Sequence, residues 1–321
     1  MLLKEIEAAV EFLYNNQIED GSFPESVYII KEKKWRKTPP TIFSASIIAN
    51  SVSEVLKYKD VLNIPIVEKC ETIRKKTLDF FIREMKMPGL WKFGTSTNEQ
   101  WKNLPFDMDD TCCVSYLLKD YHPYIHFGVN KSLITKNRNE EGLFYTWFLP
   151  PSQSGRNNID SVVNVNVILY LGEIPQTENA INYICDLINS GREEGSFYYY
   201  KDKRALYYFL SRAGSSGVNG FSKCSQAIID KLTGAKPNRE HLMNAFEISA
   251  MLNLNYVNTE FYHDKVKLLL DAQQANGSWP ISPFYQGGKY PNPVSIYNGT
   301  ESVSTAVCLE TLVKVESLRI Q

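Results

Sequence analysis

Histidine is scarce in this chain, with four in 321 residues. That argues against a metal centre built from several imidazoles, and His122 and His126, flanking Pro123, read as loop residues. The six cysteines show no Cys-x-x-Cys spacing. Apart from the Cys112–Cys113 pair they lie far apart, most of them inside apolar runs. That pattern predicts buried, reduced thiols and a cytoplasmic protein. A surplus of one charge sign is also lacking: the net charge is -1 and Lys and Arg are scattered, so no nucleic-acid partner is expected. No stretch approaches the roughly 20 uninterrupted apolar residues of a spanning helix, so any membrane contact would be peripheral. The first residues, MLLKEIEAAVEFL, carry glutamates and no small-residue cleavage site, and read as a folded helix rather than a signal peptide. Strand-like alternation is rare.

What the chain does have is helical periodicity. It is 43% hydrophobic, enough for a large core. In IEAAVEFLYNN a period of 3.6 puts Ile6, Ala9, Val10 and Leu13 on one face. ENAINYICDLINS, FEISAMLNLN, DKVKLLLDAQQ and VSTAVCLETLVKV behave alike. A second regularity is punctuation by Gly, a small or apolar residue and an aromatic: Gly21-Ser-Phe23, Gly89-Leu-Trp91, Gly142-Leu-Phe144, Gly195-Ser-Phe197 and Gly277-Ser-Trp279. The middle three are evenly spaced and suggest a unit of about 53 residues, the size of a stacked helix pair. About six such units fit residues 1–321, and six helix pairs close into a ring. The expected fold is therefore all-α, a single (α/α)6 barrel domain whose inner helices surround a cavity. The loosest stretches are the Pro- and Gly-rich segments 149–158 and 282–293.

Polar clusters recur where inner helices should begin. Asp107 to Thr111 is one, and Asn158, Asp160, Asn164 and Asn166 form another. His241, Asn244 and Glu247 make a third; Glu301, Ser302, Ser304 and Thr305 a fourth. In a barrel all would lie at one mouth. Asp, Asn and Ser are also the preferred helix caps, which accounts for most of these residues. Phe106-Asp-Met-Asp-Asp-Thr111 exceeds what a cap needs. With Asp107 as N-cap, Asp110 falls at the third helical position, leaving Asp109 without a capping role. Burial and two flanking carboxylates would raise its pKa; the helix N-terminus would lower it. If the raising effects win, Asp109 is a protonated acid able to protonate even an alkene, provided the cation formed is stabilised. The 19 Tyr, 16 Phe and 5 Trp could do that with their ring faces. Aromatics cluster beside the repeat turns at 144–148, 197–200 and 207–209, and at Tyr285, Tyr290 and Tyr297. Trp147, Phe148, Tyr208 and Tyr297 are the candidates for an aromatic wall, Asp160, Asn164 and Asn166 for further polar contacts. Arg212 is a candidate for an anion or diphosphate contact.

Asp107-Met-Asp-Asp-Thr111 resembles the D-x-D-D-T-A motif of class II terpene cyclases, the squalene–hopene cyclase-like family. NNQIEDGSF and QQANGSWP resemble the QW repeats of the same superfamily of (α/α)6 barrels. The resemblance implies proton-initiated cyclisation of a linear isoprenoid. It makes Asp109 the general acid, supported and oriented by Asp107 and Asp110. No metal does the chemistry; relatives that act on diphosphates benefit from Mg2+. Two departures stand out. Cys112 follows Thr111 where the family tends to have Ala, and the chain has room for one barrel where full-length relatives have two. A second copy or a partner chain closing the pocket, or a small substrate, would reconcile the latter.

Three rivals remain open. Protein prenyltransferase β subunits bind Zn2+ through Asp-x-Cys and a later His. Asp110-Thr-Cys112 matches the first part, and only His241 could supply the last. A non-catalytic isoprenoid- or lipid-binding barrel, or a subunit scaffold, would keep the fold with Asp109 merely hydrogen-bonded. A carbohydrate-active barrel would pair Asp109 with Asp160, Glu247 or Glu301.

Overall fold

The computed structural model describes residues 2–122, 127–235, 240–287 and 293–318. Its α-helices alternate between two concentric rings. The inner ring holds α2 (Ile42–Val55), α4 (Met108–Leu118), α6 (Ser161–Leu171), α8 (Lys203–Ser215), α10 (His241–Asn253) and α12 (Glu301–Leu318). The outer ring holds α1 (Leu3–Asn16), α3 (Ile64–Glu84), α5 (Gly128–Lys136), α7 (Glu178–Asn189), α9 (Ser222–Thr233) and α11 (Thr259–Ala272). Each inner helix packs against the next, and α12 returns to α2, which closes the (α/α)6 barrel expected from the sequence. Burial separates the rings. In α6 every residue from Ser161 to Tyr170 is buried, so the helix has no wet stripe. Outer α1 buries one face, Ile6, Ala9, Val10 and Leu13. All six cysteines are buried and free.

The punctuating turns join each outer helix to its inner partner in five of the six units. In the fifth, α9 leads to α10 without one, which explains the long gap between Gly195 and Gly277. All five turn glycines are left-handed, with φ between 81° and 93°. At Gly21 and Gly277 a side chain is excluded twice over. A Cβ would sit 2.1 Å from the carbonyl oxygen of Lys76 in the first case and of Ala8 in the second. Both contacts reach the outer helix of the next unit, so the turn is a joint between units. The glutamines complete it. Gln17 Nε2 donates to its own Gly21 carbonyl (3.1 Å) and to Ile73 of α3 (3.0 Å). Gln273 Nε2 donates to Gly277 (3.0 Å) and to Glu5 of α1 (2.9 Å).

The turn aromatics then plug the seam between rings. Trp91 and Trp279 are fully buried, and each indole N–H donates to an outer-helix carbonyl, Phe81 or Leu269, at 2.8 Å. Their backbone N–H groups are fixed by the first turn of the inner helix: Trp91 by Thr111 Oγ1 and Trp279 by Thr305 Oγ1, both at 3.1 Å. Asn164 plays that part in the third unit, accepting from Phe144 N–H at 2.8 Å. Truncating either Trp to Ala would cost about 3–5 kcal/mol.

A small sheet was not expected. The loop after α1 forms a hairpin of β1 (Glu25–Ile29) and β2 (Lys34–Thr38). The loop after α11 contributes β3 (Tyr285–Gly287) and β4 (Ile296–Gly299). The antiparallel order is β2-β1-β4-β3, so β1 and β4 zip the first unit to the last at the mouth. Part of the segment 282–293 is thus strand rather than loose loop. Short strands of mixed polarity carry too little alternation to be read from sequence.

Candidate active site

The inner helices run parallel, so their N-termini gather at one mouth, and a cavity of about 630 Å³ opens beside α4. Asp107, Asp109 and Asp110 line it together. Phe43, Phe93, Trp101, Trp147, Tyr199, Tyr200 and Tyr285 supply its aromatic wall. Phe43 packs edge-on against Tyr285 (5.0 Å between centroids) and Tyr200 (5.9 Å).

Asp107 is the N-cap of α4. Its Oδ1 accepts from the N–H of Asp109 (2.7 Å) and of Asp110 (3.1 Å). Asp109 points into a set of neutral donors. Its Oδ2 accepts from the Tyr200 hydroxyl at 2.5 Å, its Oδ1 from Asn166 Nδ2 at 2.7 Å. Behind Asn166 lies Arg212, with Nη2 3.5 Å from Asn166 Oδ1. Asp110 Oδ1 has no hydrogen-bond partner among the described residues.

Burial dominates the protonation of all three. It raises the Asp109 carboxyl to about 6, against the stabilising pull of Tyr200 and Asn166 on the anion. Burial, and then the charge of Asp109, push Asp107 to about 8. Asp110 is held well above the ordinary range by burial and by its two neighbours. Three carboxyls this close titrate as one cluster, which retains protons at neutral pH. Within it Asp109 has the best-stabilised conjugate base, so it is the group best able to give a proton away. Burial and the Asp109 charge raise the Tyr200 phenol well above its usual value, which keeps it a donor.

The other candidate residues divide clearly. Trp147 lines the cavity, with its indole N–H on Tyr199 Oη at 2.7 Å. Asn166 reaches the site through Asp109. Asp160 caps α6, and its two oxygens accept four backbone N–H groups, from Val162, Val163, Tyr198 and Tyr199. Its part is to hold the segment that delivers Tyr200. Asp160, Asn164 and Asn166 do not themselves line the cavity, and neither do the other four expected contacts. Phe148 is half-buried and packs on the core. Tyr208 lies deeper along α8 and donates to Glu310 at 2.7 Å. Arg212, fully buried, stacks on Phe209 (4.9 Å) and Tyr208 (5.6 Å). Tyr297 stacks on Tyr28 on the far face of β4, because alternation turns Ile296 and Asn298 inward instead. Tyr290 and His126 lie outside the described residues.

The rival arrangements find less support. Among the described residues no group of three His, Cys, Asp or Glu side chains is gathered to hold a metal. His241 Nε2 instead meets the Pro280 carbonyl (2.8 Å) and Ser282 (3.1 Å). As partners in a carboxylate pair, Glu247 is tied up by Arg204 and Lys265, and Glu301 is exposed. Phe43, Phe93, Trp101, Tyr199 and Tyr200 were not singled out from the sequence. Tyr199 and Tyr200 had a signal, the aromatic run after Gly195; Trp101, on a loop, had none.

No family model matches the chain, and no curated protein resembles it in sequence. Solved structures do resemble it in shape. A protein from Actinoplanes aligns with a TM-score of 0.67 at 14% identity, covering 98% of this chain and 99% of that one. The type II terpene cyclase MstE from Scytonema, in complex with the substrate geranylgeranyl dihydroxybenzoate, gives 0.67 at 14% identity, over 99% and 97%. A possible member of the GH105 family from Klebsiella pneumoniae gives 0.57 at 9%, over 99% and 93%. The chain shares the α/α-toroid fold of a type II terpene cyclase. Among the described residues no helix is long and apolar enough to cross a membrane.

Proposed function

We propose that this protein is a class II terpene cyclase-like enzyme that starts the cyclisation of a linear isoprenoid by protonating it from Asp109. One observation carries the reading: Asp109 is a buried carboxyl on the wall of an aromatic cavity, with neutral hydrogen-bond donors on both oxygens. An alkene is a very poor base, so its acid must be protonated and must leave a stabilised anion. Burial works toward the first condition, raising the Asp109 carboxyl to about 6, so that it holds its proton below that pH. Tyr200 and Asn166 provide the second, with the Arg212 charge behind them.

In this mechanism the Asp109 O–H bond breaks and the proton adds to a terminal alkene carbon. The alkene's electron pair forms the new C–H bond, leaving a tertiary cation. Neighbouring double bonds attack it in turn and close rings. The aromatic faces of Phe43, Phe93, Trp101 and Trp147 stabilise the moving charge and exclude water. Loss of a proton from the last cation gives a cyclic alkene isomeric with the substrate. Asp107 and Asp110 stay protonated beside Asp109 and keep the cluster from carrying three charges. The reaction needs no metal; Mg2+ would serve only a diphosphate head group. The cavity is walled by this chain's own residues, so a single barrel is taken to do the chemistry. The substrate named for the structurally similar cyclase, a prenyl chain on an aromatic acid, makes prenylated aromatics as reasonable a trial as prenyl diphosphates.

The test is a product assay in D2O. Wild type and Asp109→Asn are incubated with prenyl diphosphates of increasing length and with prenylated aromatic acids, with and without Mg2+. The expected result is a cyclised isomer carrying one deuterium, absent with the variant. An equally active variant would overturn the assignment of Asp109.

A further inference from the structure

Glu25 is a buried carboxyl that the mechanism so far leaves unused. It is the first residue of β1, directly after the first punctuating turn, and is 2% exposed. Its Oε2 accepts from Thr41 Oγ1 at 3.0 Å and from the Tyr285 hydroxyl at 3.4 Å. Tyr285 also meets Thr41 Oγ1 and Ser44 Oγ, both at 3.2 Å. Thr41 is the N-cap of α2, and Ser44 lies in that helix's first turn. The Thr41 and Ser44 hydroxyls therefore flank the contact between a buried carboxyl and Tyr285, a residue that lines the cavity. Such a cluster is costly to bury, and packing alone gives no reason for it.

We propose that Tyr285 and Glu25 form the terminal base of the cyclisation, a proposal that rests on the function inferred above. A cation that has closed its rings must lose a proton, and after a cascade the cationic carbon lies rings away from the carbon that Asp109 protonated. Asp107 and Asp110 hold protons already, and return of the proton to Asp109 before closure would undo the reaction. Tyr285 is placed to do it. A C–H bond beside the cationic carbon breaks and its electron pair becomes the new C=C. The proton passes to the Tyr285 oxygen while the phenolic proton moves to the Glu25 carboxylate, directly or through Thr41. Tyr285 ends as it began, and Glu25 ends protonated. Burial raises the Glu25 carboxyl to about 7, against the pull of the Ser44, Thr41, Ser26 and Tyr285 hydrogen bonds, so it can release that proton near neutrality. Phe43 touches the rings of both Tyr200 and Tyr285, so the acid's partner and the base flank one aromatic face.

The experiment compares product distributions by mass spectrometry for wild type, Glu25→Gln and Tyr285→Phe, with the substrate that wild type cyclises. Both substitutions keep size and burial, and thermal melting checks folding. The expected result is turnover reduced on the order of 10²-fold. The products should also shift, from one cyclic alkene to other alkene isomers and alcohols formed when water captures the undischarged cation. A fall in turnover with unchanged product ratios would make both residues structural and overturn the proposal. So would unchanged turnover and products in Tyr285→Phe, whatever becomes of Glu25→Gln. If wild type makes no cyclised product, the function itself has failed; if it does and the variants match it, only the base has.

Discussion

Two inner helices begin in nearly the same way and do different work. Both α4 and α6 open with a buried aspartate, Asp107 and Asp160, whose Oδ1 accepts the N–H groups two and three residues on. At α6 the carboxylate is then finished off by two more backbone N–H groups, from Tyr198 and Tyr199. At α4 the cap is followed by two further carboxyls that no backbone N–H satisfies. The first meets Tyr200 and Asn166; the second has an oxygen with no partner among the described residues. Burial raises the carboxyls at both helices, but only at α4 do like charges add to it. Capping explains one aspartate at each helix. The surplus at α4 is where the proposed acid lies, and it lines the cavity.

The sharpest way to break this contrast is Asp109→Asn. It leaves the cap intact, and cyclisation should fall on the order of 10³-fold. Product formation by mass spectrometry decides it, and retained activity would reduce α4 to a second α6. A smaller effect is expected from Tyr200→Phe, which removes one donor from the Asp109 anion and keeps the ring. The Asp109 pKa then rises and the acid weakens, so turnover should drop about 10- to 100-fold. The activity–pH profile carries the sign. Wild-type activity requires protonated Asp109 and should fall as pH rises through about 6. In Tyr200→Phe that fall should move to higher pH; an unmoved limb would sink the pairing of Tyr200 with the acid.

At α6 the corresponding change, Asp160→Ala, should act on stability first. It strands four backbone N–H groups, at a cost of about 2 kcal/mol, measurable by denaturant unfolding. Activity should fall only as far as Tyr200 is loosened. A variant as stable as wild type would show that water replaces the carboxylate at no cost.

The same contrast shows what the sequence made legible. Helix periodicity and repeated Gly-x-aromatic turns were enough for the barrel, because each turn is a local event with a fixed glycine geometry. The α4 cluster was legible because three carboxyls exceed what a cap requires. The wall was not. Tyr297 and Tyr208 were as aromatic as Tyr285 and Tyr200, and only strand alternation and depth along a helix separate them. Phe93 and Trp101 lie on an irregular loop, where no period indicates which side chain turns inward. Asn164 and Asn166 are two residues apart on α6, and one braces a repeat turn while the other holds Asp109. That difference of face is visible once α6 is known to be buried all round.

The smallest effect sharpens the comparison most, because it separates cap from charge within one residue. Asp107→Asn keeps a side-chain oxygen for the two N–H groups but can never ionise. Folding raises Asp107 from the ordinary aspartate range to about 8 and Asp109 to about 6. Between about pH 4 and pH 8 the folded protein therefore holds protons that the unfolded chain has released. Their contribution to stability is fully present below pH 4 and is lost as pH rises through these folded values. Wild type should thus melt at a lower temperature at pH 8 than at pH 5.5, by something on the order of a few °C. In Asp107→Asn the decline should be shallower, since the larger of the two shifts has been removed. Parallel melting curves would mean that Asp107 is a cap like Asp160 and nothing more. A shallower one would mean that α4 carries, even in its cap, a charge the fold would be more stable without, which is what a site kept for chemistry rather than for stability should show.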